Sequence, residues 1–88
     1  MNGRALLAWN LRKIRAEQGV SQERLAADTG IDRAYVSELE REEGNATVDL
    51  LDRLATALTV EVADFFVKPE KGESPPEPLP KGRRPRQG

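Results

Sequence analysis

The placement of proline divides this chain into a part that can be continuously helical and a part that cannot. All six prolines lie at or after Pro69, together with three of the seven glycines. A proline inside a helix removes a backbone donor and clashes with the preceding turn, so the stretch before Pro69 is free to be helical throughout. There the apolar residues recur at three- and four-residue spacing and do not alternate, which is the helical period. The expected fold class is all-α, a compact five-helix bundle over residues 1–68. Residues 69–88, PEKGESPPEPLPKGRRPRQG, hold a single large apolar side chain, Leu79. They cannot bury enough surface to offset the entropy of ordering, and are expected to form a Pro-rich, basic, disordered tail.

Capping residues punctuate the helical part. Leu7, Leu11 and Ile14 share a face of the first helix, which is expected to end at Gly19, a residue that accepts the left-handed conformation of helix ends. Ser21 is a good N-cap for a second helix carrying Leu25 and Ala26, closed by Gly30. Asp32 caps a third, whose buried stripe is Val36, Leu39 and the turn residue Ile31. Ala34, Ser37, Glu38 and Arg41 are left on the opposite side, a small and polar face that lets the backbone approach another surface. Thr47 opens a fourth helix with Val48, Leu51, Ala55 and Leu58 inward, and Val60 to Phe66 supplies a short fifth. Two short helices meeting at a glycine turn, Ser21 to Glu40, form the arrangement by which a protein presents a helix to the major groove of DNA.

Composition narrows the function classes. The chain has no cysteine and no histidine, which removes disulfides, thiolate metal sites, the commonest general base and the commonest metal ligand. Its 88 residues are too few to enclose a deep substrate pocket, so an enzyme is not expected, nor any metal or cofactor. No stretch approaches the roughly 20 apolar residues of a membrane span, and a cytoplasmic setting is expected. Net charge is −1, so bulk positive charge is not what would hold the chain on a polyanion. Its distribution is uneven. Seven basic residues face six acidic ones up to Arg41, whereas Glu42 to Phe66 holds six acidic residues against Arg53 alone.

The runs LRKIRAEQGVSQ, LAADTG, IDRAYVSELER and LLDRLATALTVEVADFF, in that order, resemble the Cro/cI-type (XRE) helix-turn-helix family of transcription regulators, which has a lambda-repressor-like fold. The resemblance covers Leu7 to Phe66. DRAYVSELEREEGN further resembles the controller proteins of restriction-modification systems, small dimeric regulators. By this resemblance Gln22 holds a backbone phosphate, while Arg33, Ala34, Ser37 and Glu38 occupy groove-facing positions, with Arg41 farther along the same face. Arg33 is the foremost candidate, because its fork can bond guanine O6 and N7 together, and Ala34 suits a thymine methyl. Tyr35 resembles the aromatic whose hydroxyl meets phosphate, and Asn45 and Thr47 match the loop that grips the flanking strand. Glu38 would repel phosphate unless it accepts from a cytosine N4 or restrains Arg41 or Arg33. The resemblance also pairs Arg15 with Glu40 between helices one and three. Thr59 and Glu61 depart from the family pattern, which has glycine and a serine- or proline-type helix start there.

Helix four is apolar over more of its circumference than one small domain requires. Leu50, Leu54 and Ala57, with Phe65, are therefore expected to form a homodimer interface, since one recognition helix reads too few base pairs alone. Trp9 lies opposite Leu11 on helix one and is expected to be covered by Phe65 or Phe66, or else by a second subunit. The tail segment KGRRPR suits a solubilising end, nonspecific DNA contact or an acidic partner. Together these readings imply a regulator that binds double-stranded operator DNA as a homodimer on an inverted repeat, and that blocks RNA polymerase or offers it a surface. An antitoxin-like protein-binding module of the same fold is the alternative.

Overall fold

The computed structural model describes residues 1–75, and these form four α-helices, one short 3-10 helix and no strand. The helices are α1 (Gly3–Gln18), α2 (Gln22–Thr29), α3 (Arg33–Glu40) and α4 (Val48–Leu58), followed by the 3-10 helix Val62–Phe66. Helix starts fall where short polar side chains can satisfy otherwise unpaired N–H groups. Ser21, Asp32 and Thr47 accept from the backbone of Arg24, Ala34 and Leu50 respectively. Asn2, not foreseen from the sequence, does the same for α1 through Ala5. α1 and α2 end at Gly19 and Gly30, both left-handed, with φ of 69° and 73°. Gly30 is constrained twice over. A Cβ there would lie 3.2 Å from Nη2 of Arg53, and that nitrogen donates to the Thr29 carbonyl at the end of α2.

The core gathers one stripe from every helix: Leu7 and Leu11 of α1, Leu25 of α2, Val36 and Leu39 of α3, Leu51, Leu54 and Leu58 of α4, and Phe65. Each such side chain contributes about 1.5–3 kcal/mol through removal from water. α3 lies against both α1 and α2, and the 3-10 helix folds back on α1. Asn10 of α1 fastens that return. Its Nδ2 donates to the carbonyls of Phe65 and Val67 at 3.1 and 2.9 Å, as well as to Leu6 in its own helix.

Three expectations need correction. The fifth element is not an α-helix from Val60 but a single 3-10 segment from Val62, held by the Asp64 carboxylate, which accepts from the Glu61 N–H at 2.9 Å. Val48, expected inward, is 71% exposed, because at the first position of α4 it precedes the part of the helix that meets the core. Leu54 and Phe65, expected at a subunit interface, are both 0% exposed. They are core residues of the single chain, and α4 turns Leu51, Leu54, Ala55 and Leu58 inward together. Beyond Lys68, Lys13 Nζ donates to the Glu73 carboxylate at 2.8 Å. The KGRRPR segment lies outside the described residues.

Candidate nucleic-acid interface

One face of α3 belongs to the core and the other to solvent. Val36 and Leu39 are buried, whereas Arg33 and Ala34 are exposed and Ser37 and Glu38 half-exposed. This is the division expected from the sequence. The aspartate cap fixes where the helix begins, so Arg33 stands exposed at its first position, with its guanidinium beside Gln22 of α2.

Behind this face runs a line of polar atoms that ends in the interior. Arg15 and Glu40, each 7% exposed, form a bidentate pair with Nε and Nη2 both 2.6 Å from the carboxylate oxygens. The third guanidinium nitrogen, Nη1, donates to the Val20 carbonyl at 2.9 Å. The α1–α3 pair implied by the resemblance is thus present, and every guanidinium nitrogen and both carboxylate oxygens have a partner, which offsets part of the desolvation cost of a buried pair. Glu40 Oε1 also accepts from Gln22 Nε2 at 3.0 Å, while Gln22 Oε1 accepts from Arg33 Nη1 at a long 3.4 Å. A flipped Gln22 amide would set oxygen against carboxylate and nitrogen against guanidinium, so the two charges fix its orientation. The second Nε2 hydrogen has no partner among the described residues.

The other candidates cluster around the C-terminal end of α3. Arg41 folds back on its own helix, donating to the Ser37 hydroxyl and to Glu43 at 3.1 and 3.3 Å. That pair is exposed on both sides, and such pairs contribute little to stability, so a phosphate can replace Glu43. Among the described residues Glu38 pairs with neither Arg33 nor Arg41. Tyr35 spends its phenolic proton on the Asn45 carbonyl at 2.7 Å. The hydroxyl expected to meet phosphate therefore braces the loop, and it can donate to a phosphate only by releasing it. Asn45 is exposed, and the Thr47 hydroxyl accepts from Leu50 while keeping its own proton to give. Gly44, immediately before Asn45, is buried, and a Cβ there would lie 2.7 Å from Leu39 Cδ2. Only glycine lets the loop press this closely onto the end of α3.

Sequence reasoning missed Arg4. Its Nε donates to the Gly44 carbonyl at 3.0 Å across 40 residues of chain. No local spacing signals a contact of that separation. Leu50 and Ala57, one helical heptad apart on α4, remain half-exposed at the edge of the core. Among the described residues no helix is long and apolar enough to cross a membrane.

A capped helix pair turning at Gly30, with its second helix half in the core and half bare, defines a helix-turn-helix protein. A family model described as helix-turn-helix (HTH_3) matches residues 11–65. The chain belongs to that family, the XRE type. It is 40% identical over 68 residues to a Neisseria meningitidis protein described as a hypothetical transcription factor, covering 77% of this chain and 64% of that one, less than two thirds of its length. To control protein C.SmaI of Serratia marcescens it is also 40% identical over 68 residues, covering 77% and 81% of the two chains. Among solved structures, that of the Neisseria factor superposes with a TM-score of 0.75 at 38% identity over 80% of each chain. That of the restriction-modification controller protein C.AhdI of Aeromonas hydrophila gives 0.69 at 38% identity, over 72% of this chain and 96% of the controller.

Proposed function

We propose that this chain is a sequence-specific DNA-binding transcription regulator that acts as a homodimer on an inverted-repeat operator, in the manner of a restriction-modification controller. The observation that carries the reading is the bare outer face of α3. Arg33 and Ala34 are exposed at its start, and apart from the long bond to Gln22 the Arg33 guanidinium has no partner among the described residues. Arg33 reads a guanine through its fork, and Ala34 lies against a neighbouring thymine methyl. Gln22, Arg41, Asn45 and Thr47 meet the backbone and set register, which positions the helix without reading sequence. Kinship with proteins whose names include transcription factor, control protein and controller protein supports the same reading.

Two copies pair through the face of α4 that carries Leu50 and Ala57, with Leu54 and Phe65 beneath it in each core. Two-fold pairing sets the recognition helices about 34 Å apart, one turn of DNA. The bound dimer regulates by occupancy, excluding RNA polymerase or touching it with the acidic second half of the domain.

Selection of bound duplexes from a random pool tests this directly. The expected result is an enriched palindrome at moderate salt. Arg33→Ala then loses preference at one symmetric pair of positions, a loss of about 1–3 kcal/mol of discrimination per half-site, while weak general affinity persists. A pool with no enriched palindrome refutes the reading.

A further inference from the structure

We propose that Arg4 is a phosphate-binding residue of the DNA interface, placing the end of its guanidinium on the backbone phosphate beside the Asn45–Thr47 loop at the outer edge of each half-site. The inference rests on the DNA-binding reading above and extends the interface to the first turn of α1, where neither the sequence nor the resemblance put it. Arg4 is exposed, yet it is not free to wander. Its Nε is tied to the Gly44 carbonyl at 3.0 Å, one residue from Asn45 and three from Thr47, in a loop braced on its far side by Tyr35. Using Nε alone leaves both terminal nitrogens, and their planar fork matches two oxygens of a phosphate.

The charge of Arg4 is unspent. Among the described residues Arg15, Arg24, Arg41 and Lys13 each have a carboxylate within ion-pair distance, whereas Arg4, like Arg12, Arg33 and Arg53, has none, and of these four only Arg4 bonds to the Gly44 loop. The loop itself is acidic, with Glu42 and Glu43, and Glu43 already occupies Arg41. Without a further cation this stretch would repel the strand it is meant to grip. Arg4 supplies that cation on a rigid mount, so little side-chain freedom is lost when a phosphate arrives.

The test is a salt titration of affinity for the selected operator duplex by fluorescence anisotropy, with wild type, Arg4→Ala and Arg4→Lys, and with helicity followed by circular dichroism. Each lost phosphate contact lowers the slope of log affinity against log salt by about 0.9. Arg4→Ala is therefore expected to flatten the slope by about 1.8 per bound dimer while keeping the same preferred sequence, and Arg4→Lys is expected to keep the slope. Weaker binding with an unchanged slope would show that Arg4 only holds the loop, and would overturn the proposal while leaving the regulator reading intact. If wild type binds no duplex above background, that reading fails and takes this one with it.

Discussion

Thr59 closes α4 in the left-handed conformation, with φ 58° and ψ 44°, and it is a β-branched residue with no special means of tolerating that geometry. The penalty for an L-residue there is about 1–2 kcal/mol. Glycine avoids it but gives back about 0.5–1 kcal/mol through its greater freedom in the unfolded chain. Thr59 is exposed, and its N–H bonds to the Ala55 and Thr56 carbonyls are backbone bonds that any residue retains. Nothing else is lost on substitution, so Thr59→Gly is expected to stabilise by about 0.5–1 kcal/mol. For a domain of this size one kcal/mol moves the melting midpoint by about 4–8 °C, so differential scanning calorimetry should show a rise of about 2–8 °C. The same substitution at Glu42, which has φ 64° but no β-branch, should gain less. An unchanged or lowered midpoint for Thr59→Gly refutes the assignment of strain to this residue.

Other outcomes follow from the same geometry. Glu40→Ala strands a buried guanidinium and should cost about 3–5 kcal/mol, whereas the apolar pair Arg15→Met with Glu40→Leu should be near neutral; equal melting of the single variant and wild type would contradict this. The Glu73 carboxyl is held below its ordinary range, first by the bond from Lys13 and then by the Glu70 N–H, while the same bond raises the Lys13 ammonium. The contact is thus complete above the usual glutamate range, is lost as pH falls through the lowered Glu73 value, and on the alkaline side persists until pH exceeds the raised Lys13 value. A carboxyl NMR titration checks it: Lys13→Ala should move the Glu73 midpoint up, and an ordinary midpoint in wild type would sink the assignment. Leu50→Glu should convert a sedimenting dimer to a folded monomer, and a variant that still dimerises would rule out this face of α4.

Helix starts were legible because a capping side chain acts within its own turn. Ser21, Asp32 and Thr47 each bond a backbone N–H two or three residues on. The exposed face of α3 was legible for a related reason: Val36 and Leu39 mark the inner side, and helical period fixes the outer one. What could not be read was set by contacts distant in sequence. Asn10 looks like a polar interruption of an apolar face until its partners, 55 and 57 residues away, are known. Arg4 has no meaning before the loop lands beside it. Leu54 was assigned outward because a wheel cannot say how wide a neighbour is, and Phe65 because nothing local shows that the 3-10 helix carrying it folds back on α1; both are fully buried in the single chain.

Tethering Arg33 to the interior through Gln22 and Glu40 has a consequence for how a regulator of this kind searches. On the proposed reading, even that long, exposed bond biases where the tip rests before it arrives, so a wrong base pair would meet a side chain with fewer postures open to it. Selectivity would then depend in part on Arg15, a residue that no nucleotide touches, and softening that inner pair would blur the message before it unfolded the messenger.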